Sequence, residues 1–580
     1  MVGDGIARAV TINAGVKEAK VGRASIFAAL ITALWAQPAP PTLLRQLLDS
    51  ASLTDLRWPG FSAVQPETAK FYASRDNNLA WSRNGTPTPQ AVASIRALVN
   101  AGANGLDPED YDGSRWAARL MRLGPVSAHP SDTDLVRFDL ALTVSMLRYA
   151  SDLHGGRVNP RIFCFGWDTG QKHCDLVQFL RQVTGNNQDI STLLERLEPP
   201  FPAYRRAKKA LEMYMRLSAE DDREVLPETT KPVAPGDSYP GLTRLESLLR
   251  RVGDLPPDAR VPSGSQIYQE PLVTALKRFQ ERHGLDPDGR VGQSTLKQLN
   301  TPLSYRVRQL QLVLERWRWV PDQFARPPIV VNIPEFRLYA FNSEFEPELE
   351  MKVVVGSAYR RQTPVFSNHM THVIFRPYWN VPLSIQRNEL APKIKKDPAY
   401  LADNDYEIVD QHGQVVANAS ADSDLIAELR SGQLAIRQIP GRKNALGYIK
   451  FMFPNEYNVY LHGTPAQALF TKTRRDFSHG CIRVEKPEEL ALWVLRSNPG
   501  WDWDRIREAE NGAKPLLVNL PQPIPVLIVY GTAIARATGE VDFYADIYGH
   551  DAALDELLRK GYPCSDWKPT SVVCDRHPRE

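Results

Sequence analysis

Long apolar runs are almost missing from this 580-residue chain. Only Ser25 to Ala36 stands out, and it falls short of the roughly 18 residues that spanning a bilayer takes. Charge of one sign is missing too. The 70 basic and 67 acidic residues leave a net +3, so no strong field for nucleic acid or membrane lipid is implied. Apolar residues are 43% and charged residues 24%. That is near the soluble average and argues against disorder, a collagen and a polytopic membrane protein. Glycine, at 35, is outnumbered by 46 prolines, which implies many turns and linkers. Cysteine is scarce, with five residues at 164, 174, 481, 564 and 574. In an oxidising compartment the spacing suggests two short-loop disulfides, Cys164 with Cys174 and Cys564 with Cys574, and leaves Cys481 free. In a reducing one all five would be thiols.

At roughly 100–200 residues per domain, the length calls for about three to five domains. Lys17, Lys20 and Arg23 precede the uncharged Ser25–Ala36 stretch, and Gln37-Pro38-Ala39-Pro40-Pro41 follows. A basic flank, a short apolar core and small residues at its end form a secretory signal pattern over 1–36. Left uncleaved, it would anchor the chain; the plainer alternative is a buried amphipathic helix. Residues 42–235 are expected to be a helical scaffold. Leu135, Phe138, Leu142 and Tyr149 share a helix face that stops at His154-Gly155-Gly156. Charge and four prolines mark 221–240 as a linker.

A mini-domain of three short helices is expected over 239–302. Leu272, Val273, Leu276 and Phe279 line one helix, and Asp286-Pro287-Asp288-Gly289 makes a tight turn. Phe279-Gln280, Gly284-Leu285, Asp288-Gly289, Val291-Gly292, Thr295 and Leu299 resemble the peptidoglycan-binding domain family; a helical spacer without a ligand is the alternative. Residues 303–325 then return to the scaffold as a helix carrying Val307, Leu310, Leu314 and Trp317 on one face. From Pro328 the period changes to that of strands. The close-spaced strands suit an antiparallel sandwich or a barrel-like sheet, and the reading is a multi-domain α+β chain ending in a mainly antiparallel β-sandwich over 328–530. An insertion at 384–440, with Lys393, Lys395, Lys396 and a helical Ala421–Arg430, interrupts it as a cap. Residues 531–580 form a C-terminal extension.

The chemistry concentrates in one stretch. Asn458-Val459-Tyr460-Leu461 delivers His462-Gly463-Thr464-Pro465, and Ser478-His479-Gly480-Cys481-Ile482-Arg483-Val484 follows. A thiol reacts as its thiolate, and a nearby imidazole takes its proton. The base needs an acceptor on its other nitrogen, and the Gly463 carbonyl is available. The amides of Gly480 and Cys481 suit an oxyanion. Arg483 suits a substrate carboxylate. A zinc site lacks the usual ligand spacing. An inert buried Cys481 fits poorly with its polar neighbours. Papain-like or NlpC-type peptidases place cysteine before histidine, whereas His462 comes first here.

Fifteen residues separate His462 from Ser478. This spacing resembles the L,D-transpeptidase (YkuD-type) signature of His followed by Ser/Thr-His-Gly-Cys. Gly356, Thr363-Pro364, Trp379-Asn380-Val381-Pro382, and Pro440-Gly441 through Asn444-Ala445-Leu446-Gly447 add to it. With the upstream units, the chain is similar to the large, multi-domain periplasmic branch of that family, although that branch often carries Asp at the position of Gly463. The resemblance implies Cys481 as nucleophile, His462 as base oriented by Gly463, and His479 and Gly480 shaping the oxyanion site. It implies Arg483, Ser478 and Trp379 lining the substrate cleft. It further implies 3–3 cross-linking of peptidoglycan stems through a cysteinyl thioester with release of D-Ala. No metal or organic cofactor and no nucleic acid are expected. The expected location is the Gram-negative periplasm, with carbapenems as acylating inhibitors. A stem hydrolase using the same cysteine and an idle wall-binding scaffold are the alternatives.

Overall fold

The computed structural model describes residues 40–561 except 125–129, 168–171, 173, 186–188, 263, 265, 359–360 and 417–422. The expected signal segment, Cys564 and Cys574 lie outside these residues. No helix among the described residues is long and apolar enough to cross a membrane.

The N-terminal region is helical apart from a small hairpin, β1 (Ser82–Arg83) with β2 (Thr86–Pro87). Its axis is the 24-residue helix Asp132–Gly155, which starts where the Ser131 side chain accepts from the Asp134 N–H. The sequence suggests one apolar stripe on this helix. The structure buries Val136 and nearly every residue from Phe138 to Leu153, because helices Pro40–Ser50, Gln65–Ala73, Pro89–Val99 and Leu176–Gly185 surround it. Buried Asp139 is satisfied by the Ala80 and Trp81 amides and the Tyr72 hydroxyl. Cys164 is disulfide-bonded while Cys174 keeps a free thiol. The expected Cys164–Cys174 bridge is therefore not formed, since equal spacing constrains chain separation and not where the sulfurs point.

The mini-domain has helices Leu242–Arg251, Leu272–Arg282 and Gln293–Leu299 around their own core. Gln280 knits it together. Its amide donates to Asp288 Oδ1 at 2.8 Å and Thr295 Oγ1 at 3.1 Å, and it accepts from the Gly289 N–H at 2.8 Å. These motif residues hold the turn. The stretch expected as a free linker is instead partly structural. Leu226 and Val233 are buried in this core, and Asn300 brackets the Leu226 backbone.

Helix Leu303–Arg318 packs along Pro202–Ala219, and both join the core of the β-rich body. Glu315 in it accepts from the Arg157 and Val158 amides, tying it to the first helical region. The β-rich body is built from β3 (Ile329–Asn332), β4 (Arg337–Phe341), β5 (Pro347–Gly356) and β6 (Phe366–Phe375). After the cap come β10 (Ile449–Met452), β11 (Leu461–His462), β12 (Asp476–Ser478), β13 (Ile482–Val484) and β14 (Leu516–Val529). Their order is β12-β5-β13-β11-β10-β6-β14-β3-β4, and β4 also pairs with β5. The sheet therefore closes into a barrel, the second of the two expected forms, and not into the preferred antiparallel sandwich. It is mixed, because β14 with β3, β11 with β13 and β12 with β5 run parallel. Hydrophobic alternation marks which residues face inward, but it does not reveal strand order or closure. Alternation does place Ile449 and Phe451 in the core and leaves Lys450 on the outer face.

The cap is a small unit with its own core. Three strands, β7 (Trp379–Asn380), β8 (Tyr406–Val409) and β9 (Ala435–Gln438), pair in the order β7-β9-β8 beside helices Ala391–Lys396 and Ser423–Ser431. After the barrel, the hairpin β15 (Ala533–Ala535) and β16 (Val541–Phe543) and helix His550–Arg559 join the same core. Arg316 pairs with Asp551 and Arg308 with Asp555. Residues 531–561 of the expected C-terminal extension thus pack into the core of the main body.

Candidate active site

Two adjacent parallel strands build the site. Leu461 pairs with Ile482 and His462 with Arg483, and the Ile482 N–H donates to the Tyr460 carbonyl at 3.1 Å. Leu461 and Ile482 point into the core. Side chains alternate along a strand, so Tyr460, His462, Cys481 and Arg483 share the outer face. Lys450 on β10 sits opposite His462 on that same face.

His462 is buried, with Nδ1 2.6 Å from the Gly463 carbonyl oxygen. That carbonyl accepts the Nδ1–H, which leaves the lone pair on Nε2. Burial, with the nearby Arg483 and Lys450 charges, pushes the imidazole pKa down to about 3. The ring is therefore neutral and able to act as a base. Gly447 holds Gly463 in place from the other side. A Cβ at Gly447 would stand 2.8 Å from the Gly463 carbonyl carbon, and its φ of +65° also favours glycine. Buried Asn444 fixes that turn, donating to the Pro377 and Ile439 carbonyls and accepting from the Leu446 N–H.

Cys481 follows the loop Ser478–Gly480. Its Sγ–H points to the Asn458 carbonyl at 3.6 Å, not to His462. Burial pushes the thiol pKa up, while hydrogen bonding with Tyr460 and the Lys450 and Arg483 charges pull it down. Gly480 has φ +120°, a conformation for glycine. Its carbonyl accepts from Thr363 Oγ1 at 2.8 Å, and Thr363 Oγ1 accepts from the Gly356 N–H at 2.8 Å. Tyr548 closes this chain by donating to the Gly356 carbonyl.

The structure revises several expected roles. Ser478 is a buried brace, not a wall of the cleft: Oγ donates to the Cys481 carbonyl at 2.5 Å and accepts from the Gly480 N–H at 3.2 Å. The Gly480 amide is therefore engaged within the loop. The His479 ring turns to the cap, with Nε2 2.6 Å from Glu389 Oε1. Arg361 Nη2 reaches the same oxygen at 2.9 Å. Trp379, on β7 of the cap, lies close enough to the Tyr460 hydroxyl to pull its pKa down, against the larger upward push of burial. Arg483 remains beside Cys481, and burial lowers its pKa.

Sequence reasoning assigned no role to Tyr460, Lys450, Glu389 or Arg361. Tyr460 was accessible by alternation, two residues before His462. Glu389 lies 90 residues before its partner, and no local pattern connects them. Among the described residues no group of three or more His, Cys, Asp or Glu side chains converges as a metal site.

Comparison with known proteins agrees with this layout. Residues 66–211 match the model described as "Scaffold domain", 238–299 that of "Putative peptidoglycan binding domain", and 326–514 that of "L,D-transpeptidase catalytic domain". A Haemophilus influenzae protein named "Putative L,D-transpeptidase" is 34% identical over 248 residues, which is 43% of this chain and 49% of the relative. The chain thus spans about half the length of that curated relative. The β-rich body, with its His462 and Cys481 strands, is the part of the chain that matches the L,D-transpeptidase catalytic-domain model, and the mini-domain before it is the part that matches the peptidoglycan-binding model.

Proposed function

We propose that this protein forms 3–3 cross-links between meso-diaminopimelate residues of peptidoglycan, acting in the periplasm of a Gram-negative bacterium. The supporting observation is a neutral imidazole, fixed through Nδ1 on the Gly463 carbonyl, on the strand next to Cys481 and on the same face. His462 Nε2 takes the Sγ proton as the side chain turns from the Asn458 carbonyl. The thiolate attacks the carbonyl at the L-centre of diaminopimelate in a tetrapeptide stem. The C–N bond to the terminal D-Ala breaks, and the imidazolium returns its proton to the departing amine. A thioester remains on Cys481. The side-chain amine of a second diaminopimelate then attacks it, losing a proton to His462 as the C–S bond breaks.

In this reading Arg483 meets a stem carboxylate, and Trp379 and Tyr460 wall the cleft beneath the cap. The cap limits water and so favours the amine as acceptor. Carbapenems acylate the same sulfur in this reading. The mini-domain brings the chain to the wall.

Incubation with tetrapeptide muropeptides and mass analysis of the products tests the reading. Loss of D-Ala with cross-linked dimers is expected, along with a β-lactam adduct on the peptide bearing Cys481. Tripeptide monomers alone would make the protein a hydrolase. Full cross-linking by Cys481→Ala would remove the cysteine from the chemistry.

A further inference from the structure

Lys450 lies on β10 directly across from His462 on β11. Its ammonium stands over the Tyr460 ring, 3.8 Å from the centroid. The Tyr460 carbonyl is hydrogen-bonded to the residue after Cys481. Ammonium, phenol, imidazole and thiol therefore occupy neighbouring positions on one face. Burial favours the neutral amine at Lys450, a thiolate at Cys481 would favour the ammonium, and no carboxylate among the described residues forms an ion pair with it. A partly desolvated ammonium without a carboxylate is costly. The fold retains one where an anion forms during the proposed reaction.

We propose that Lys450 is a positioning residue whose charge, carried across the Tyr460 ring, stabilises the Cys481 thiolate and offsets the burial of the sulfur. The charged and titratable groups around this pair are His372 on β6, Tyr460 just before β11, His462 on β11, and Arg483 on β13. Arg483 is a second cation beside the sulfur. It stays constant in the variants below, so any change reports on Lys450. A purely packing role for Lys450 against Tyr460 would leave the thiol titration where it is.

The test is the pH dependence of iodoacetamide alkylation at Cys481, read by peptide mass, in the full chain and in Lys450→Met, Lys450→Gln and Lys450→Arg. Cys174, the other free thiol among the described residues, is the internal reference. The Cys481 midpoint is expected to rise by about one pH unit in the two neutral variants. Lys450→Arg should restore it, and Cys174 should not move. An unmoved Cys481 midpoint in a folded neutral variant overturns the proposal, as does an arginine variant that behaves like the methionine one. Linkage supplies a measurement that does not need a substitution at Lys450. In Cys481→Ser the amine loses its counter-charge, so the pH midpoint of Lys450 acetylation falls; no change there also overturns the proposal. The inference rests on Cys481 as the nucleophile. Alkylation needs no substrate, so an unmoved midpoint with cross-linking intact removes the role of Lys450 alone, whereas cross-linking by Cys481→Ala removes the reading beneath it.

Discussion

His479 Nε2 and Glu389 Oε1 lie 2.6 Å apart, joining the loop that carries Cys481 to the cap. The contact links two segments separated by most of the cap and by strands β10, β11 and β12. Arg361 completes it and, with His479, holds the Glu389 carboxyl below the usual carboxylate range.

Breaking this tie should slow acylation more than it weakens the fold. Both side chains are about one-third exposed, so the contact is worth only about 1 kcal/mol. Glu389→Ala should lower the rate of β-lactam acylation about fivefold with little change in melting temperature. Stopped-flow acylation and thermal unfolding check this, and an unchanged acylation rate would show that the tie does not support the catalytic loop.

Thr363 should matter to both stability and rate. Thr363→Val removes the donor to the Gly480 carbonyl and the acceptor for the Gly356 N–H, leaving two buried backbone groups unpaired. A loss of about 1–3 kcal/mol is expected in urea unfolding, with slower acylation of Cys481. A Thr363→Ser variant keeps the hydroxyl and should recover most of both.

Acid should destabilise the protein through its buried histidines. In the unfolded chain a histidine titrates near about 6.5. In the fold, burial together with neighbouring cations lowers His462 to about 3, and burial together with Arg316 lowers His550 to about 4. The unfolded state binds more protons between those values, so stability is full above about 6.5 and is lost as pH falls toward the folded values. Denaturant unfolding at pH 7 and pH 4.5 should show the loss, and His550→Gln should reduce it.

Thiol chemistry separates the cysteines. Under denaturing but non-reducing conditions, alkylation should label Cys174 and Cys481 and spare Cys164 until a reductant is added. Peptide mass mapping reads this directly. Labelling of Cys164 without reductant would contradict its disulfide.

His462→Gln should slow thioester formation by about a hundredfold or more, the scale of a lost general base. Single-turnover acylation measured against pH separates this from a binding defect, because a mere loss of affinity would raise the substrate requirement and leave the saturated rate intact.

Much of this protein is set by local order along the chain. The spacing of His462 and Cys481, the Gly463 carbonyl as partner of the imidazole, and the glycine before the thiol all lie within one short stretch, where neighbouring residues dictate the chemistry. The change from helical to strand period at Pro328 is local as well, and so are the turn residues around Gln280 and Gly289. Tertiary structure decided what depends on contacts between distant segments. Strand order and barrel closure follow from pairing, which alternation cannot encode. The Cys164 bond depends on where sulfur atoms point in space. Ser478 proved a brace because its hydroxyl is enclosed by its own loop. Glu389, Arg361 and Lys450 acquire roles only when the cap and the strands bring their charges to residues far away in sequence, because electrostatic interaction depends on distance in space and not on separation along the chain.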